Sequence, residues 1–288
     1  RVAVSARYVH KQVDETIEDI GVMVPGIGEV FMIANPGRGV AQHIDGPEYP
    51  SMPEAKRKYD ALELKFIRRF ANRWMFNASY TLSRLWGNYP GLASSDEVAR
   101  VSPNVTRLFD GLLMGFDQTG QPLYGLLNTD RPHQVKLNGI YQIPVTNTTV
   151  GAVFRIASGI PISRQANFMS SLPVFYQGRM SDGRTDIFHQ VDLNLQQDVK
   201  LGGRVGMQVS LNVMNLFDRK GEVDVYRVRT RQNVPVADGT PFTEADFFKG
   251  FDGEGIINMF NIRLDPRFLM TDTYQSPRNI RLGVKLTF

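Results

Sequence analysis

The chain contains no cysteine. That removes disulfide staples, thiolate metal sites and cysteine nucleophiles together. It suits a protein that crosses an oxidising compartment. A long apolar run is also missing. The most apolar stretch, 21–37, is broken by Glu29 and Pro36, and nothing reaches the roughly 18 residues a membrane helix needs. This does not exclude a membrane, because a β-barrel crosses lipid with alternating strands and leaves no hydropathy peak. Charge of one sign is scarce. The 33 basic residues against 29 acidic ones leave +4, too small and too scattered a surplus to indicate nucleic acid. Histidine is rare: His10, His43, His133 and His189 show no ligand spacing, so no metal site is expected. No nucleophile elbow and no phosphate-binding loop is present. We therefore expect no enzyme, no catalytic residue and no cofactor. Asp252-Gly253-Glu254 reads as a solvated acidic loop rather than a calcium site.

What is present is period two. Val135, Leu137, Gly139 and Tyr141 take one face; Gln134, Lys136 and Asn138 take the other. Alternation of this kind marks a half-buried strand. Ile280, Leu282, Val284, Leu286 and Phe288 repeat it at the end of the chain. The same pattern covers 2–8, 62–66, 74–83, 149–156, 190–196 and 205–213, making about eight strands. Val, Ile, Phe, Tyr and Thr favour that choice. One short helix is expected near 243–251, with Thr243 as N-cap and Glu244 and Asp246 in the first turn. It reads as loop decoration.

The connections alternate strictly. Short joins fall near Ala71-Asn72, Pro144 to Asn147 and Leu201 to Gly203; long ones cover about 20–56, 88–132, 160–185 and 218–276. Compact soluble domains rarely carry unstructured loops beyond about 15 residues. Outer-membrane barrels do, with short periplasmic turns and long outer loops. The apolar positions carry no charge, and Tyr8, Trp74, Trp86, Tyr141 and Phe288 gather toward strand ends, as an aromatic girdle requires. These features favour a membrane barrel over a soluble sandwich.

The chain then resembles TonB-dependent outer-membrane receptors, most of all the large Oar-like ones with a carboxypeptidase-regulatory-like domain. Arg281, Gly283, Leu286 and Phe288 look like the C-terminal signal read by the barrel-assembly machinery. Asp130-Arg131-Pro132-His133 is similar to that family's strand entry, and Ser158-Gly159-Ile160-Pro161 to its strand exit. Asn212 to Asp218, Ser276-Pro277-Arg278 and Tyr59 to Tyr80 resemble its later and paired strands.

The resemblance implies an all-β fold, an antiparallel transmembrane segment of a barrel of roughly 22 strands. Residues 1–288 would be the C-terminal part, with plug and signal peptide absent, in a Gram-negative outer membrane with the C-terminus periplasmic. A complete eight-stranded barrel is the competing architecture. Implied partners are outer-membrane lipid, the receptor's own plug and through it TonB, the assembly machinery, and a bulky transported substrate. A structural or adhesive barrel without transport is the alternative function. Lys65, Asn77, Gln134, Lys136, Asn138, Arg155, Asp192, Asn194, Asn212 and Lys285 would face the lumen. Arg38, His43, Tyr124, Tyr176 and Arg179 are loop-contact candidates, because loops on a rigid scaffold usually carry recognition.

Overall fold

The computed structural model describes residues 2–24, 27–91, 108–169, 172–203 and 205–288. All eight expected strands form. They are β1 (Val2–Val13), β2 (Arg57–Ala71), β3 (Trp74–Gly87), β4 (His133–Gln142), β5 (Thr149–Ala157), β6 (Phe188–Gly202), β7 (Val205–Met214) and β8 (Asn279–Thr287). Each pairs antiparallel with its neighbour in sequence, giving one meander from β1 to β8. No helix among the described residues is long and apolar enough to cross a membrane.

Register turns eight alternating strands into one two-sided surface. Across the middle, Ala78, Leu137, Phe154 and Val191 stand opposite one another in turn. The next row is Phe76, Gly139, Ala152 and Leu193, and the far strands add Leu211 opposite Leu282. A slip of one residue would move every one of these to the other face. This apolar face is open: Val4 is 76% and Leu282 73% exposed. Its rims are aromatic. Trp74 faces Tyr141 at the short-turn end, with the Arg68 guanidinium 3.3 Å over the Trp74 ring. At the loop end the Tyr8 hydroxyl donates to Asp60, and Tyr80 stacks on His133. From Trp74 to Leu82 the strand covers about 26 Å. At a tilt of roughly 40° that rises about 20 Å, most of an apolar band about 25 Å tall.

The short turns are local in origin. Between β2 and β3, Asn72 and Arg73 both hold positive φ, 52° and 70°. Such a pair matches the twist of the flanking strands. Strands β1 and β8 end the sheet and do not pair with each other, so the eight strands form an open sheet rather than a small closed barrel.

Among the described residues the main buried cluster is not in the sheet. It lies in four long connections, L1 (14–56), L2 (88–132), L3 (158–187) and L4 (215–278). Ile20, Phe109, Met114, Phe168, Tyr176 and Phe247 are among its buried members. Local elements position them: a hairpin of Glu18–Val24 with Gly28–Ala34, a second of Ala166–Phe168 with Leu172–Val174, and a third of Glu222–Val225 with Thr271–Tyr274. L4 also carries helices α1 (Glu244–Lys249) and α2 (Gly253–Met259). Thr243 caps α1 and forms a reciprocal capping box with Asp246. The helix is more than decoration: its Phe247 is fully buried, with Phe168 and Phe251 rings at 5.7 and 4.8 Å.

The cap sits on the polar side of the sheet. At the loop end, inward Ala61, Ser83 and Leu85 are buried, while outward Leu62 and Leu82 stay over 40% or close to it in exposure, at 40% and 43%. Main-chain bonds lock the loops together. Gly21 donates to Phe109, Gln118 to Tyr176, and Phe251 to Gln118, linking L1, L2, L3 and L4. A Cβ on Gly21 would lie 2.1 Å from the Asp110 carbonyl oxygen, which is why only glycine fits that crossing.

Candidate functional site

The polar face is built by the same register as the apolar one. Lys65 stands opposite Ser79, Ser79 opposite Lys136, and Lys136 opposite Arg155. Asn77 faces Asn138, Gln134 faces Thr81, Asn194 faces Asn212, Asn212 faces Arg281, and Lys285 faces Gln208. With Asp192 opposite Val153, every polar residue expected on this side shares it. Side-chain amides rung the wall: Asn77 donates to Asn138 at 3.0 Å, and Asn194 donates to Asn212. Asp192 accepts from Gln190 at 2.6 Å and from the Asn215 amide at 2.9 Å, with Arg155 at 4.0 Å.

In the last strand, Arg281 and Gly283 lie on the polar face. A Cβ on Gly283 would come within 2.8 Å of the Ser210 hydroxyl, so the small residue matches a close cross-strand neighbour. Leu286 pairs with Met207 on the apolar face, and Phe288, 88% exposed, follows in the same alternation.

The short segments with a family resemblance are staples between loop ends and strand ends. Asp130 is 2% exposed; its carboxylate accepts from the Leu85 amide at 2.7 Å and from Arg184 at 2.5 Å. Arg184 also donates to the carbonyls of Asp130 and Gly159. Arg131 donates to the Ser158 carbonyl, and the Ser158 hydroxyl accepts from the His133 amide. A Cβ on Gly159 would sit 1.7 Å from the Thr185 carbonyl. Asn215, at φ 50°, donates to the Arg219 and Ser276 carbonyls, and Asp218 accepts from the Arg278 amide. These residues tie loop ends to strand ends. Asp130→Ala should therefore leave the buried Leu85 amide without its acceptor and take one of its three acceptors from Arg184. We expect a loss of about 2 kcal/mol, read as earlier protease cleavage in L2 and L3 with the sheet intact.

The loop candidates separate. His43 is exposed, 3.4 Å from the Ser51 hydroxyl. Arg38 is paired with Glu15 and Glu54. Tyr124 stacks on Trp86 and donates to the Glu54 carbonyl, and Arg179 lies over Phe175. Tyr176 is withdrawn from the surface. It is fully buried, and its hydroxyl donates to Glu254 at 2.7 Å, so it cannot present itself to a loop ligand. Burial pushes its hydroxyl up, and the bond to Glu254 pushes it further.

Glu254 corrects the reading of a solvated acidic loop. It accepts from Arg164 at 2.8 Å and lies 3.6 Å from Arg229, while Arg164 also grips Asp182 through two nitrogens. Burial pushes the Glu254 carboxyl up, but the bonds from Tyr176 and Arg164 outweigh it and hold it below its usual value. Nearby on the cap, Glu244 is pushed up to about 7 by burial and by Asp45 and Asp238. Among the described residues no cluster of His, Asp and Glu is placed to hold a metal ion.

A family model described as an outer membrane beta barrel domain matches residues 47–182. The TonB-dependent transporter Oar of Myxococcus xanthus is 30% identical over 295 aligned residues, covering 98% of this chain and 26% of that protein. The chain thus spans about a quarter of the length of that relative. The outer membrane transporter YddB of Escherichia coli aligns over 98% of this chain and 30% of its own, at 12% identity and a TM-score of 0.49. The closed form of the ferric-catecholate import receptor Fiu of E. coli K12 aligns over 99% and 25%, at 13% identity and a TM-score of 0.42.

Proposed function

We propose, for a chain that is an outer-membrane β-barrel domain and a homologue of a TonB-dependent transporter, that it supplies the C-terminal strands of such a transporter's barrel. The observation that carries this is the open two-sided sheet. Its apolar face suits lipid and its polar face suits an aqueous interior. The outer backbone groups of β1 and β8 need partners in lipid, which further strands of a larger barrel provide. A plug in the interior would lie against Lys65, Asn77, Gln134, Lys136, Asn138, Arg155, Asp192, Asn194, Asn212 and Lys285. TonB, driven from the inner membrane, would act on that plug to admit a bulky substrate caught outside. The cap and its exposed residues, Arg38 and His43 among them, would meet the substrate first. Arg281, Gly283, Leu286 and Phe288 would present the last strand to the assembly machinery, with the C-terminus in the periplasm.

The absence of cysteine makes the test clean, since a single introduced thiol is the sole one in this region. In the intact receptor, Ser79→Cys on the polar wall should label slowly with a bulky, membrane-impermeant maleimide. Labelling should rise when cells are energised and TonB is present. Equal labelling with and without TonB would sink active transport and leave a passive barrel. In intact cells Asp238→Cys on L4 should label from outside and Val145→Cys on a short turn should not; the reverse would invert the orientation.

A further inference from the structure

The apolar face carries a groove near its short-turn end, with a volume of about 580 Å³. Its floor is made by small residues. Gly139 and Ala152 are register partners, and both belong to the apolar face. Larger neighbours rise around them. Trp74 and Tyr141 close the turn side, and Leu137 and Phe154 close the side toward the middle of the sheet. The backbone does not require glycine at 139, since its φ is not positive, and a Cβ there would touch the Phe76 ring at 3.4 Å.

A cation stands at the rim of the groove. Along β2 the outward positions run Leu62, Leu64, Phe66 and then Arg68. Arg68 is opposite Phe76, and its guanidinium covers the ring of Trp74, which lines the groove. Its Nη1 donates to the Ala71 and Trp74 carbonyls. Among the described residues its Nε and Nη2 make no hydrogen bond, and it pairs with no carboxylate. A charge on the lipid side is tolerated at this height, because the interface is within reach and the cost there is small. The surrounding charge has the same sign. The described residues of the three short turns, 68–74, 142–149 and 198–203, carry Arg68, Arg69, Arg73 and Lys200 against Asp198, and Asp198 already accepts from Gln208.

Filling the groove gives little selectivity by itself. Lipid tails are as apolar as the residues that line it, so an acyl chain settles there by shape and dispersion alone. Choice between lipids must come from the headgroup. The group beside the groove is a guanidinium with two unused donor nitrogens, which suits a phosphate. In a zwitterionic headgroup an amine competes for that phosphate; in phosphatidylglycerol nothing does.

We propose that the groove and Arg68 form a binding site for one anionic phospholipid, with an acyl chain over Gly139 and Ala152 and the phosphate against Arg68. It rests on the reading of the apolar face as the lipid-facing one, and it adds which lipid is held and where.

The test uses the intact receptor in phosphatidylethanolamine vesicles with a minor fraction of lipid brominated on its acyl chains. Bromine quenches tryptophan fluorescence at short range, and each receptor is compared with its own Trp74→Phe blank to isolate Trp74. Brominated phosphatidylglycerol should occupy the site about fivefold more tightly than brominated phosphatidylethanolamine, the factor expected for one arginine against an anionic lipid. Arg68→Gln should bring the two lipids to equal quenching with assembly retained. Gly139→Leu, which fills the floor, should lower quenching by phosphatidylglycerol with Arg68 in place; should it fail to assemble, Arg68→Gln and the wild-type comparison decide. Equal quenching by the two lipids in the wild type would overturn the site. So would a preference that survives Arg68→Gln, since Arg68 would then only brace its turn. A preference abolished by inorganic phosphate, but not by sodium chloride at the same ionic strength, would assign Arg68 to free phosphate and overturn it as well. The TonB-dependent labelling of Ser79→Cys does not involve this lipid. It can succeed while the preference fails, which separates this inference from the transport reading.

Discussion

Leu137→Arg should abolish accumulation of assembled barrel in the outer membrane, while Thr81→Lys should leave it unchanged. Leu137 lies in the central apolar row, opposite Ala78 on one side and Phe154 on the other. An Arg facing lipid at that depth costs about 2–4 kcal/mol. The cost rises because the neighbours offer no polar group for the guanidinium to reach. Thr81 projects from the other face, opposite Glu63 and Gln134, where a lysine finds a carboxylate. The measurement is the heat-modifiable band of folded barrel in membranes of cells making the intact protein. Equal loss in both variants would mean that the two faces are not distinguished by solvent. Full assembly of Leu137→Arg would place the apolar face against something other than lipid.

Phe247→Ala should do the opposite: the barrel assembles and the cap comes apart. Phe247 is fully buried in α1, packed edge-on against Phe168 of L3 and Phe248, and close to Phe242 and Phe251. Truncating such a ring costs about 3–5 kcal/mol, counting lost transfer energy and the cavity left behind. None of these partners lies on the apolar face of the sheet. We therefore expect rapid hydrogen exchange and protease cleavage in 160–175 and 234–262, with β2 to β7 still protected. A conservative Phe247→Leu should lose less than half as much. Loss of barrel assembly in Phe247→Ala would show that sheet and cap fold as one unit.

The strands were readable because their signal is local. Period two needs only neighbouring residues, so β4, β7 and β8 stand out from Val135, Val205 and Ile280 onward. The N-terminus of α1 was readable for the same reason, since Thr243 and Asp246 sit one helical turn apart. The face of Lys136, Asn138, Arg155 and Asn194 followed from parity alone. Which of them meet did not, because register between strands is set by pairing across the sheet rather than by any one strand. Gly151 illustrates this: it reads as one more non-apolar position, and is buried only when Ile140 and Asn194 arrive beside it.

The cap was invisible for a related reason. Its core joins Ile20, Phe109, Phe168 and Phe247 from four separate loops, without a shared period. Turn residues such as Gly and Pro mark these loops as connections and say nothing of what they bury. Tyr176 and Glu254 were misread because a polar side chain in a loop is ordinarily solvated, whereas here each satisfies the other. The Asp130 and Asn215 motifs were found by resemblance, and their role as staples needed the distances.

The distribution of the cap core along the chain also sets a schedule. The contacts between L1 and L4 span most of the polypeptide, and closing such long loops is slow. Residues of L1, L2 and L3 can collect Ile20, Phe109 and Phe168, but Phe247 and Ile257 come from the last connection before the final strand. The cap core is thus incomplete until L4 joins it. Within this segment L4 therefore supplies the contacts that complete the cap core.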